Sequence, residues 1–222
     1  MRRWTAAWTW AIIASMKGIH PSEAFRLPGV PADLEWRLQP VEWAVEEGGG
    51  LSIRAGAKTD LFTDPKDGAK FDAAPAALFA PPDRTFTLSA RVNVGFLSTY
   101  DAGVFHVRAA DDRWGKLCFE YSPQGEPMVV SVVTHGLSDD CNSIVVPGQS
   151  VYLRVAQGET STAFHYSFDG SRWSFARHFS LGPRDGLRVG FSSQSPTGDG
   201  CRAVFSEITY SPGVPADLRS GE

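Results

Sequence analysis

The chain has only three cysteines in 222 residues, Cys118, Cys141 and Cys201. Their odd number and wide spacing exclude a Cys-x-x-Cys zinc knuckle and a dense disulfide framework, and they read as free thiols in a reducing compartment. An excess of charge of either sign is also missing: 21 Lys and Arg stand against 25 Asp and Glu, a formal net charge of -4, with no block of like charge. That scatter excludes a nucleic acid or an anionic membrane held mainly by electrostatics, since such binding needs clustered Lys and Arg to displace counterions. No apolar run reaches the ~20 residues of a spanning helix, and helical periodicity is nearly absent. No G-x-S-x-G elbow occurs. Ser138, His135 and Asp139 lie too close together for a triad, which is assembled from distant segments around a strained nucleophile turn.

The N-terminus has some of the features of a secretory signal. Arg2 and Arg3 precede an apolar stretch running to Met16, and Ser22 to Ala24 offers a small-residue cleavage site before Phe25. Lys17, His20 and the bulky Trp4, Trp8 and Trp10 fit such a segment poorly, and a start codon misplaced upstream of Met16 accounts for the same residues. Residues 1–24 are therefore read as an N-terminal extension and 25–222 as one β-sandwich domain, with strands from about Leu34 to Tyr210. A cytoplasmic location is expected; secretion is the alternative if the extension is a signal peptide.

What fills the rest is strand after strand. In "RTFTLSARVNV" (84–94) Phe86, Leu88, Ala90, Val92 and Val94 alternate with polar residues, the pattern of a half-buried antiparallel strand. Similar runs recur between turn signals such as "SPQGEP", "VPGQS" and "FDGSRW". Many short strands with little helix imply an all-β chain, a two-sheet antiparallel sandwich or a barrel. The Ala- and Pro-rich stretch 67–83 reads as a loop with one short edge strand. "PGVPADL" occurs twice, at Pro28–Leu34 and Pro212–Leu218, flanking the strands.

The strand around Leu117 raises the functional question. If Leu117, Phe119 and Tyr121 face the core, a period of two gathers Trp114, Lys116, Cys118 and Glu120 on the other face. One reading is a solvated face with a Lys116–Glu120 ion pair worth roughly 0–1 kcal/mol. The other is a groove in which Trp114 stacks on a sugar while charged groups bind its hydroxyls. Asp101, in "STYDAG", is first a turn former; it joins the site only if a hairpin brings it beside Trp114 and Glu120. "SVVTHGLSDDCNS" (131–143) reads as a strand ending at Thr134 and a loop from His135 to Asn142, with Thr134 and Asp139 at the groove rim and Asp140 holding the loop. Its three or four oxygen ligands fall short of the six or more that a hard cation takes, so no metal or other cofactor is expected. "YSFDGSRW" (166–173) is a hairpin turn close to an Asp box, with a structural role.

Taken in order, "YDAG" (100–103), Trp114, Lys116, Glu120 and Tyr121, then "SVVT" (131–134), "SDD" (138–140) and "YS.DG..W" (166–173) resemble the uncharacterised concanavalin-A-like family of YesU-like bacterial proteins and a fungal protein implicated in regulating enolase. The resemblance implies a jelly-roll sandwich of the lectin and glucanase type, with a groove on its concave sheet. Members are mostly small, stand-alone and intracellular, and some bacterial ones are associated with plant-polysaccharide utilisation. Two departures matter. The E-x-D-x-x-E acids of the related hydrolases are missing, so a partner for Glu120 must come from Asp101, Asp139 or Asp140 on other segments. The Asp-rich metal loop of legume lectins is missing too. The expectation is a carbohydrate-binding or regulatory module for a sugar or sugar acid, lined by Asp101, Trp114, Lys116, Glu120, Thr134 and Asp139. A carbohydrate-active enzyme is one alternative, with Glu120 kept charged by Lys116 as a base and Asp101 or Asp139 as its partner. A protein-interaction domain in central metabolism is another. The oligomeric state stays open.

Overall fold

The computed structural model describes residues 24–222; the signal-peptide and start-codon readings lie outside the described residues, save for Ala24. Two antiparallel sheets face each other. The first is ordered β1 (Glu35–Leu38), β6 (Ala76–Phe79), β15 (Arg188–Gln194), β8 (Ala102–Ala110), β9 (Arg113–Tyr121), β10 (Pro127–His135) and β11 (Leu137–Val145). The second is ordered β14 (Ser174–Phe179), β13 (Thr162–Ser167), β12 (Ser150–Gln157), β7 (Phe86–Gly95), β16 (Gly200–Pro212), β3 (Leu51–Gly56) and β2 (Glu42–Val45). A small hairpin of β4 (Leu61–Thr63) and β5 (Lys70–Asp72) stands apart from both. Among the described residues there is no helix, so the all-β two-sheet antiparallel sandwich is the fold.

Alternation builds the core. On β7, Phe86, Leu88, Ala90, Val92 and Val94 are buried between the sheets while the residues between them stay half-buried or exposed. Phe105, Val107, Leu117, Phe119, Val129, Val133, Val189 and Phe191 meet them from the first sheet. Two glycines let the sheets approach. A Cβ on Gly103 would lie 2.7 Å from Val92, and one on Gly115 2.8 Å from Phe179, both inside contact distance.

Two loop expectations are corrected. Within 67–83, β5 pairs with β4, and β6 lies between β1 and β15 rather than at an edge; its alanines are small residues of an interior strand, buried on both faces. The run His135–Asn142 is not a loop either. Gly136, at φ 75°, turns the chain tightly, and Leu137–Val145 returns as the edge strand β11. The hairpin at Asp169 forms as expected: its Oδ1 accepts the amides of Ser171 and Arg172, and the Ser167 hydroxyl accepts that of Gly170.

The two PGVPADL copies close the ends differently. The first carries Val30 and Leu34 into the core. The second leads to a turn that lies on the outer side of the second sheet, where the Leu218 carbonyl bonds His165 Nε2 at 2.7 Å and the Gly221 carbonyl accepts from Arg154 Nη2 at 2.7 Å.

Candidate functional site

On the first sheet, strand parity decides which side chains point away from the core. Phe105, Val107, Leu117, Phe119, Val129 and Val133 point in, so Ala102, Val104, His106 and Arg108 of β8 point out, as do Trp114, Lys116, Cys118 and Glu120 of β9. Register aligns them in rows. Gln194, Ala102, Glu120 and Met128 form one, and Gly190, His106, Lys116, Val132 and Asp140 another. The expected grouping of Trp114, Lys116, Cys118 and Glu120 on one face is therefore present, but that face is not bare.

The β4–β5 hairpin lies across it. Leu61, Phe62 and Ala74 pack on Trp114 and Val132, and the Thr63 amide donates to Ser138 Oγ, which also bonds Thr134 Oγ1 at 2.8 Å. Trp114 is left 2% exposed and Thr134 0%. Neither lines an open groove: an indole on an outward sheet face is a large apolar surface, and the hairpin removes it from water. A stacking role for Trp114 and a rim role for Thr134 would require the hairpin to lift.

Lys116 lies at the hairpin's border. Its Nζ donates to Gln194 Oε1 at 3.0 Å and pairs with Asp60 Oδ1 at 3.5 Å, and the residue is 3% exposed. Asp60 is placed by the segment leading into β4, where Thr59 bridges to Ser195 and the Asp60 carbonyl accepts the amides of Ala73 and Ala74. Beyond Lys116 the face opens at Glu120, which is half-buried. Burial pushes the Glu120 carboxyl up to about 7 against the pull of Lys116, and the charges of Asp60 and Asp140 add to the rise. Sequence reading made Glu120 a base held charged by Lys116; the ammonium is instead engaged by Gln194 and Asp60, and desolvation wins. Between them sits Cys118, fully buried, its thiol kept protonated by that burial.

Asp101 and Asp139 are brought elsewhere. Asp101 lies at the far end of the β8–β9 hairpin from Trp114, whose cross-strand partner is Arg108. It is 0% exposed; one oxygen accepts the amides of Leu97 and Ser98 at 2.9 and 2.8 Å, the other the Ser195 hydroxyl at 2.6 Å. Asp139 shares the parity of Val133, points to the core side of edge strand β11, and clasps Arg177 of the second sheet at 3.0 Å. The acid of that run on the outward face is Asp140, opposite Val132.

Three residues that sequence reading missed belong to this end of the face: Asp60, Tyr100 and, buried beneath them, Gln194. Gln194 carried a signal, since the alternation of "LRVGFSSQ" puts it opposite Val189 and Phe191. Tyr100 is a bulky residue at φ 70°, 40% exposed, with its amide on the Tyr121 carbonyl and its own carbonyl accepting from Gln194 Nε2. Such a backbone is strained for a side chain of this size and persists only when neighbours hold it. Asp101 is the holder. Asp101→Asn is expected to cost about 1 kcal/mol, because the amide oxygen can still accept both backbone N–H groups while the stronger charge-assisted bonds are lost. Urea unfolding measures the cost.

Among the described residues no group of three or more His, Cys, Asp or Glu side chains could hold a metal ion. Two broad depressions, of about 630 and 520 Å³, lie away from this face. In the first, Arg184 is tied to the carbonyls of Gly158, Glu159 and Arg84 and holds loops together.

The fold and this face can be set beside known proteins. A functionally unknown protein from Saccharomyces cerevisiae superposes with a TM-score of 0.72 at 25% identity, over 82% of this chain and 97% of that one. The GH43 BlXynB protein from Bacillus licheniformis matches at 0.62 and 16%, over 79% of this chain and 36% of its own. Bacteroides ovatus Xyloglucan PUL GH43B matches at 0.57 and 17%, over 77% and 34%. This chain thus spans about a third of those GH43 proteins, and at such identities the likeness is one of fold. Comparison with curated proteins finds no match. Residues 36–213 match the model of a single family, and the chain belongs to it: the proteins of unknown function DUF1349.

Proposed function

We propose that this protein is a carbohydrate-binding or regulatory module whose ligand lies over the open end of the outward face, on Glu120 and Asp60 with Tyr100 at the rim, Lys116 and Gln194 being buried beneath and holding Asp60 in place. The observation that carries this reading is a half-buried carboxyl with its pKa raised to about 7 beside a buried ammonium on the outward face of the sheet. The carboxyl groups of Glu120 and Asp60 supply fixed acceptors for sugar hydroxyls, and an exposed tyrosine supplies an apolar wall. The fold likeness to carbohydrate-active proteins and the resemblance to the YesU-like and enolase-regulating proteins support it.

Glycan-array screening followed by calorimetry tests it. Glu120→Gln and Tyr100→Ala should each weaken binding roughly tenfold or more while the chain still unfolds cooperatively. Absence of binding to every sugar and sugar acid would overturn the reading. One observation favours a second reading, glycoside hydrolysis: a carboxyl near 7 is protonated often enough at neutral pH to act as a general acid. Asp60 or Asp140 would then be the partner carboxylate, and release of reducing ends lost in Glu120→Gln would separate hydrolysis from binding.

A further inference from the structure

The other half of the outward face carries Arg37, Arg108 and Arg188, ion-paired with Asp72, Asp111 and Glu35, and it is incompletely bonded. His106 is 0% exposed, and neither ring nitrogen has a partner. Burial, together with the charges of Arg108, Arg37 and Lys116, keeps the imidazole neutral, so it offers one N–H and one lone pair. Arg108 bonds Asp111 through Nη2 at 2.6 Å and leaves a buried Nη1 unpaired. Arg37 holds the Asp72 carboxylate through both terminal nitrogens and leaves a buried Nε unpaired. Buried donors without acceptors are rare in folded proteins and call for an explanation.

Topology brings these groups to one place. Arg108 follows His106 by two residues on β8, so both face outward. Arg37 comes from β1, beyond β6 and β15 in the sheet, while the row through His106 runs over Gly190, which adds no side chain, and Leu78 to Glu35. Asp72 comes from β5, which pairs with β4, and its side chain, bound to Arg37, remains 56% exposed. An arginine gripping a carboxylate with two nitrogens, beside a second arginine and a buried imidazole N–H, is the geometry that recognises planar or tetrahedral oxyanions. An acceptor-only group of that kind is what the unpaired nitrogens lack.

We propose that Arg37, His106 and Arg108 bind the oxyanion of an acidic sugar, its carboxylate or sulfate, and that Asp72 stands in for that oxyanion when no ligand is bound. The proposal rests on the carbohydrate reading above and narrows it to anionic sugars. The sugar ring would extend along the face toward Asp60 and Glu120, its acidic group exchanging with Asp72 on Arg37.

The experiment uses calorimetry with galacturonate and glucuronate, each beside its neutral hexose, and thermal unfolding in sodium sulfate against sodium chloride at matched ionic strength. The parent, Arg37→Gln, Asp72→Asn and Glu120→Gln are compared. A uronate should bind roughly tenfold or more tightly than its hexose; Arg37→Gln should erase the difference, and Asp72→Asn should raise uronate affinity several-fold by removing the internal competitor. Sulfate raises the melting temperature of every variant somewhat more than chloride through exclusion from the surface; measured against that excess in Arg37→Gln, which lacks the site, the rise should be larger in the parent and larger still in Asp72→Asn. Equal uronate and hexose affinities with no specific sulfate effect, even in Asp72→Asn, overturn the oxyanion site, and the groove survives if Glu120→Gln abolishes hexose binding. Sulfate and uronate effects that follow Arg37 and Asp72 while ignoring Glu120, with no hexose binding, keep the oxyanion site and overturn the carbohydrate groove.

Discussion

Lys116→Met is expected to destabilise the protein by about 3 kcal/mol. Methionine keeps most of the apolar stem that lies along the outward face, so little packing is lost; the ammonium alone is removed. Gln194 Oε1 then loses its donor at 3.0 Å and the Asp60 carboxylate, whose side chain is 19% exposed, loses its cation at 3.5 Å. Breaking one half of a buried pair costs more than the pair contributes, because the remaining charge stays desolvated. Asp60→Asn in the same chain should recover part of the loss, and the double-mutant cycle in urea measures the coupling. The Glu120 carboxyl, deprived of the one charge that lowers it, should titrate above its value of about 7. A Lys116→Met chain as stable as the parent would mean that Asp60 and Gln194 are satisfied by solvent and that the ammonium has no part in holding the hairpin.

That hairpin also explains which features were legible in the sequence. Alternation on β7 and β9 named the core and placed Trp114, Lys116, Cys118 and Glu120 on one face, because a period of two survives any tertiary context. What covers that face comes from residues 57–75, remote in sequence from β9, and no local pattern announces the contact. Burial of Trp114 follows from it, and so does the charge of Asp60 that adds to the rise of the Glu120 pKa. Parity also explains the exchange of Asp139 for Asp140. Reading 135–142 as a loop left no face to assign, whereas a tight turn at Gly136 continues the count and sends Ser138, Asp140 and Asn142 outward. Asp101 was legible as a turn former from its place before Ala-Gly. Its site role depended on proximity to Trp114, and the length of the β8–β9 hairpin sets the two apart. The ordered motifs that carried the family resemblance marked strands and turns rather than chemistry, in keeping with a family whose function is unknown.

The pH dependence of stability should separate the two kinds of buried titratable group. Glu120 is raised from 4.5 to about 7, so between those values the folded chain holds more of a proton there than the unfolded chain does. Its contribution is fully present below pH ~4.5 and is lost as pH rises through about 7. His165, lowered to about 4 mainly by burial, and His106, lowered well below 6.5 by burial and its cationic neighbours, act in the opposite sense. There the folded chain holds fewer protons, and stability falls as pH drops below the ordinary histidine value. The opposed slopes partly cancel from pH ~4.5 to ~6.5, and only Glu120 acts above that, so the stability curve should peak near pH 6–6.5 and decline toward 8. Glu120→Gln, which imitates the protonated acid, removes the decline. The parent's advantage over Glu120→Gln should grow by about 2 kcal/mol from pH 8 to pH 4.5, less than the full shift implies because the side chain keeps some solvent. Urea midpoints at half-unit pH steps give the difference curve. A curve flat across that range would place Glu120 in water with an ordinary carboxyl, and would remove the buried acid on which the carbohydrate reading stands.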